Sequence, residues 1–272
     1  MNNATIDSLA EQLAEGLVVP YLGPGLFPAD APIPTTPAAL CTRLEAKVTV
    51  PQRARGHLPA AAQYIESNRH RRVLTGILEE AFAPMPAPTA AHRWVARLPW
   101  RPLVVDTWYD DTTLRALAAE GRPLCQVTGM SRVGQVTDWF RHDGCSAGCG
   151  ASETLLYKPH GSVRPNPEFL ISDADYVEVL TEIDIQTPIP PAVRELRRGR
   201  GFLFLGCRFM RQMDRIFAMQ VMKRSADRHW AVIPEAPSRN EARFLKRYGI
   251  ARIDLPVDAV IEALEARLPV SR

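Results

Sequence analysis

Residues 18–27, VVPYLGPGLF, hold the first chemistry this chain could perform. A hydrophobic run that breaks into Gly23-Pro24-Gly25 has the form of a first β-strand entering a turn that cradles phosphate, because glycines let backbone amides approach an anion. Two features oppose that chemistry. Pro24 has no amide to present, and the next positions are Leu26 and Phe27, with no hydroxyl between them. The second candidate group is RHDGCSAGCGAS, 141–152, which sets His142, Cys145 and Cys149 at intervals of three and four. A closed structural zinc site needs four ligands, and Cys125 is the candidate fourth from upstream. The preferred reading of this segment is a loop with free thiols; metal binding and a redox or partner-contact role are the alternatives. His160, in YKPHGS, is the third candidate: a strand-end histidine can act as an acid–base group or serve only as a structural hydrogen-bonder.

These residues need elements to position them. TIDSLAEQLAEG has Ile6, Leu9, Ala10 and Leu13 at helical spacing and a stop at Gly16. LVVPYLG follows as a strand whose Pro20 predicts an edge or a bulge. Thr36-Pro37 opens a helix as cap and first-turn proline, and two more helices run to the proline-rich connector 83–90. AAHRWVARL, 90–98, is a further helix. Short apolar runs at PLVVDT, PLCQVTG, LLYKPHGS, EFLIS, GFLFLG, HWAVIP and ARIDLP read as strands, the all-apolar GFLFLG as one buried on both faces. Ser172 caps the helix DADYVEVLTEI, and Ser238 with Glu241 has capping-box spacing ahead of a helix that stops at Gly249. The alternation predicts an α/β fold: a doubly wound, mainly parallel sheet in a single domain over 1–272. A helical insert is expected at about 36–98 and an irregular cysteine-containing loop at about 131–153.

Composition excludes several classes of function. The 272 residues carry a net charge of +3, too little to predict nucleic-acid binding, and the basic clusters 68–72 and 194–201 read as solvated surface. No stretch reaches the ~20 apolar residues of a membrane span and the first residues are no signal peptide, so a cytoplasmic protein is expected. In such a compartment the five cysteines are expected as thiols rather than bridges.

In order, the chain shows PYLGPGL, VVDTWYDD, YKPHGS, LISDADY and FLFLGCRF. This series, over roughly residues 17–255, resembles the SIR2-like (sirtuin-related) family. That family's pattern is a Gly-Ala-Gly-x-Ser loop, Thr-Thr-Asn-Tyr-Asp, Lys-x-His-Gly-Ser, an acidic-Tyr helix start and a Phe-x-Gly-Tyr-Ser-Leu turn. The resemblance implies a Rossmann-like fold with a small inserted module, and an NAD pocket at the carboxyl ends of the strands. It makes His160 the general base or ribose contact, and assigns Gly23, Gly25, Asp110, Gly161, Ser162, Gly206 and Arg208 to the cofactor. It also shows departures. Pro24 stands for alanine, Phe27 for serine and Asp106 for threonine; Trp108 stands where the family has the asparagine that positions ribose or water. Cys207, Arg208 and Arg211 replace tyrosine, serine and aspartate, although Arg208 could still meet a phosphate.

Substitutions converging on one pocket favour a protein with no resident cofactor: a sirtuin-like scaffold with degraded catalytic motifs that engages another protein. In this reading the pocket has closed, with Trp108 and Phe27 as the residues that would close it, or has been repurposed. Among the aromatic contact candidates Trp94, Trp100, Trp108, Trp139 and Phe140, each with core packing as its alternative, Trp139 and Phe140 beside the cysteine loop are preferred. A similarity to sirtuin-like nitrogenase-associated factors implies a large enzyme complex as partner. Two alternatives stay open: an NAD-consuming hydrolase or deacylase, and a sensor that binds NAD or ADP-ribose without cleaving it.

Overall fold

The computed structural model describes residues 2–130, 140–143, 153–185 and 189–268. Eight strands form one sheet: β1 (Val18–Leu22), β2 (Leu103–Asp106), β3 (Leu124–Gly129), β4 (Phe140–Asp143), β5 (Thr154–Lys158), β8 (Gly201–Leu205), β9 (His229–Val232) and β10 (Ile250–Ile253). A separate hairpin joins β6 (Gly161–Ser162) to β7 (Glu168–Phe169). The sheet order is β10-β9-β8-β1-β2-β5-β3-β4, parallel throughout except for the edge pair β3–β4. This is the doubly wound, mainly parallel sheet that the alternation predicts and the Rossmann-like fold that the resemblance implies. β1 is its topological switch point, with β2 on one side and β8 on the other, and ligand crevices open at such a point.

Alternation along each strand supplies both faces of the sheet. Val18, Leu22, Val104, Leu203 and Leu205 face one apolar core, which is shared with α1 (Asn2–Ala14), α5 (Ala90–Arg97) and α11 (Val257–Glu265). Val19, Tyr21, Val105, Phe202 and Phe204 face the other, closed by α9 (Gln212–Met222) and α10 (Arg239–Arg247). Pro20 sits in the central strand, not at an edge or bulge. β8 registers along all of β1, whereas registered pairing with β2 begins only at Tyr21, so the missing amide shortens one ladder and spares the other.

A third core belongs to a helical module of α2 (Pro37–Lys47), α3 (Leu58–Arg69) and α4 (Arg71–Ala81), into which Phe27, Trp108, Tyr109 and Phe169 project. The module is narrower than the expected insert, because Trp94 and Val95 of α5 pack in the core of the sheet. The caps form as the spacing predicts. Thr36 Oγ1 accepts from Ala39 N–H at 3.0 Å, Ser172 Oγ accepts from Asp175 N–H at 3.2 Å, and Ser238 and Glu241 exchange bonds reciprocally.

Three further expectations are corrected. Residues 140–143, inside the stretch expected to be irregular, pair antiparallel with β3. The basic clusters are partly structural: Arg71 binds Asp175 at 2.8 Å, and buried Arg197 donates to the carbonyls of Gln220 and Val221. Cys41 and Cys207 are free and buried, but Cys125 is disulfide-bonded, so the cysteines are not all thiols. Among the described residues no helix is long and apolar enough to cross a membrane.

Candidate functional site

Four strand ends converge on the switch point. β1 delivers Gly23 to Gly25, β2 delivers Thr107 and Trp108, β5 delivers His160, and β8 delivers the turn Gly206 to Arg211. Together with the start of α2 and Asp214 of α9 they enclose a cavity of about 490 Å³. Of the two alternatives, a pocket closed or one repurposed, the cavity removes the first, and the reason is where the two bulky rings point. The Trp108 indole is buried against Phe82 and Tyr109 of the module core, and its Nε1–H donates to Pro34 O at 2.8 Å. Phe27 belongs to the same module core, its ring tilted against His92 at 5.1 Å between centroids, and does not line the cavity. The substitutions remove the family's polar groups without filling the space.

The glycine turn does line the cavity, but its amides are used internally. Gly23 N–H donates to Leu205 O at 2.9 Å and Gly25 N–H to Gly206 O at 2.9 Å. Leu26 and Phe27 N–H donate to Gly23 O and Pro24 O as the chain winds into a 3-10 turn, Pro24–Leu26. Pro24 contributes no donor. The glycines are needed for a close approach between turns: a Cβ on Gly23 would lie 2.6 Å from Gly206 O, and one on Gly25 would lie 2.8 Å from it.

His160 borders the cavity with Nδ1 3.1 Å from Thr107 O. A carbonyl only accepts, so Nδ1 carries the proton and Nε2 presents a lone pair. That Nε2 has no hydrogen-bond partner, and the ring is held edge-to-face by Phe217 at 4.5 Å. Burial lowers its pKa to about 4, with Asp214 pulling the other way, in place of the near-ordinary value expected for a general base. The imidazole is neutral at physiological pH.

The charged groups around the cavity are compensated. Arg208 is held fork-to-fork by buried Glu241, at 2.9 and 3.0 Å, and also by Glu235 at 3.0 Å, so the guanidinium expected on a phosphate is engaged by carboxylates. Arg211 and Asp214, an ion pair that the sequence reading missed, face the cavity bidentately at 3.0 and 2.6 Å. Their spacing of three at a helix start was the available signal. Cys207 also borders the cavity, but burial raises its thiol pKa well above the ordinary value and removes it as a thiolate nucleophile.

Three more of the expected cofactor residues stand behind the wall. Asp110 is buried and accepts from Thr112 N–H at 2.9 Å, with burial and then Asp106 raising its pKa. Ser162 donates to Arg164 O, and Gly161 takes φ +85° where β6 turns against β7. Asp110, Gly161 and Ser162 do not line the cavity. Lys158 of the same motif is fully buried, with Nζ 2.8 Å from both Asp106 Oδ2 and Asp110 O. It fastens the loop after β2 onto β5, and Asp106 Oδ1 in turn accepts from Trp108 N–H at 3.0 Å.

Cys145, Cys149 and Trp139 lie outside the described residues, as do the side chains of Phe140 and His142. Among the described residues no cluster could hold a metal ion. Trp94 and Trp108 are core residues, while Trp100 is half-exposed.

The β1 turn and the two cavity arginines do not fit a pyrophosphate. A pyrophosphate needs amide donors or an uncompensated cation; the β1 turn has given its amides to carbonyls, and Arg208 and Arg211 are paired. No curated protein matches the chain. The family model described as a SIR2-like domain matches residues 102–253, from the start of β2 to the end of β10. That span includes Trp108, His160 and the Gly206 turn but stops short of Gly23 and Gly25. The fold, the cavity at the switch point and this match over more than half the chain agree: the chain belongs to the SIR2-like domain family.

Proposed function

We propose that this SIR2-like protein is a non-catalytic binding module that engages another protein and holds no NAD. The observation that carries the reading is the internal use of every amide in the Gly23–Phe27 turn, which leaves a pyrophosphate without its seat. The Arg208–Glu241 fork and the Trp108 indole directed at Pro34 support it, since both groups that stand at family cofactor positions are tied to this protein's own atoms. What remains is a cavity with Tyr21, Leu58, Phe209 and Met210 in its wall, suited to apolar contact rather than to a dianion. A nitrogenase complex as the partner rests on the resemblance alone.

One observation favours a second reading, a SIR2-like hydrolase. His160 lines the cavity, and its buried Nε2 carries a lone pair with no partner among the described residues, in the protonation state of a base. Calorimetric titration with NAD and with ADP-ribose, run beside an assay for nicotinamide release, decides between them. No heat at millimolar ligand and no nicotinamide is the expected result. A micromolar dissociation constant, or release abolished by His160→Ala, overturns it.

A further inference from the structure

α9 and α10 lie side by side on one face of the sheet, and between them runs a groove of about 310 Å³ that shares no residue with the switch-point cavity. From α9 it is lined by Gln212, Arg215, Ile216 and Met219; from α10 by Asn240, Arg243, Phe244 and Arg247. Each set follows i, i+3, i+4, i+7 spacing, so each is one continuous helix face. The floor is apolar, made by Ile216, Met219 and Phe244, and three arginines stand around it.

Those arginines differ from several others on this protein. Arg208, Arg211, Arg164 and Arg71 are all paired with carboxylates. Among the described residues no carboxylate lies within ion-pair distance of Arg215, Arg243 or Arg247, and no carboxylate lines the groove. Arg215 donates to the carbonyls of Phe209 and Met210, and Arg247 lies over the Tyr248 ring at 5.5 Å, so among the described residues neither meets a counter-charge. An apolar trough rimmed by unpaired guanidinium groups is complementary to a segment with apolar anchors on one side and carboxylates beside them.

We propose that the α9–α10 groove docks an acidic amphipathic helix of a partner protein, its apolar residues on Ile216, Met219 and Phe244 and its carboxylates on Arg215, Arg243 and Arg247. A nucleic acid is disfavoured by the apolar floor and by a basic rim of only three side chains. The proposal deepens the binding-module reading by giving the partner a surface and a chemistry. Because groove and cavity share no residue, failure here leaves the NAD titration to stand or fall separately.

The test is fluorescence anisotropy on the full chain with four labelled probes. These are a synthetic helical peptide with leucines at i, i+4 and i+7 flanked by glutamates, the same peptide with lysine for glutamate, the same with serine for leucine, and a single-stranded RNA oligonucleotide. The leucine–glutamate peptide is expected to bind, and to bind about tenfold or more weakly to Arg243→Glu/Arg247→Glu and to Arg243→Ala/Arg247→Ala. Both arginines are exposed, so the variants keep the fold, which circular dichroism checks. No binding of that peptide overturns the proposal, as does equal binding of the serine peptide, unchanged affinity in both variants, or tighter binding of the RNA.

Discussion

Gly25 N–H donates to Gly206 O across 2.9 Å, joining the turn after β1 to the turn after β8. Two glycine turns that line one cavity are thereby locked to each other rather than open to an anion. The joint depends on the absence of side chains: Gly206 takes φ +65°, and a Cβ there would lie 2.5 Å from Leu26 N. Gly206→Ala is expected to destabilise the protein by about 2 kcal/mol or more, because strain from the backbone angle adds to the clash. Urea denaturation measures it, and a loss within about 0.5 kcal/mol would mean that the two turns are not locked.

The buried Lys158–Asp106 pair makes a second prediction. Both side chains are almost wholly out of water, at 1% and 4% exposure, and Lys158 also holds the Asp110 carbonyl. Removing one partner strands a buried charge, so Lys158→Met is expected to cost about 3–5 kcal/mol. Replacing both, as Lys158→Met/Asp106→Asn, is expected to cost less than the single change. A double-mutant cycle by chemical denaturation measures the coupling. Additive losses would show that the two groups act independently.

How much of this was legible in the chain depends on the reach of each interaction. Thr36, Ser172 and Ser238 could be read because a cap and the amide that donates to it lie three residues apart. Strand periodicity likewise placed β1, β2, β5 and β8, whose ends build the cavity. The direction of Trp108 could not be read, since its partner Pro34 is 74 residues away and the helical module decides which way the indole turns. Arg208 misled for the same reason: Glu241 holds it from 33 residues downstream. Pro20 misled because its local rule points to an edge, whereas the β8 ladder tolerates it in the centre of the sheet.

Acid should destabilise this protein early. Burial lowers the pKa values of His92, His160 and His229 to about 4 each. In the unfolded chain they return to roughly 6.5, so between those values the unfolded state binds more protons than the folded state. Stability is therefore highest above about pH 6.5 and falls as pH drops towards 4, by up to about 1.4 kcal/mol per unit for each fully effective group. Glu241, drawn down to about 2 chiefly by Arg208 and backbone donors against the cost of burial, adds its own loss at lower pH. Denaturation midpoints measured from neutral pH down to pH 5 check the slope. A flat profile would mean that the three imidazoles are solvated.

Restoring the family residue at one position should not restore a cofactor site. Trp108→Asn removes a buried indole from the contact with Phe82 and Tyr109 and deletes the bond to Pro34 O. Loss of a large core ring costs about 3–5 kcal/mol. The asparagine would also bring a polar group beside the module core, where Pro34 O loses its donor. The amides of the Gly23–Phe27 turn would still be bonded to carbonyls, and Arg208 would still be held by Glu241. The variant is therefore expected to melt earlier than the parent and to show no heat with NAD. If Trp108→Asn binds NAD at micromolar concentration, the indole alone was blocking the site, and the internal bonding of the glycine turn is not what excludes the dinucleotide.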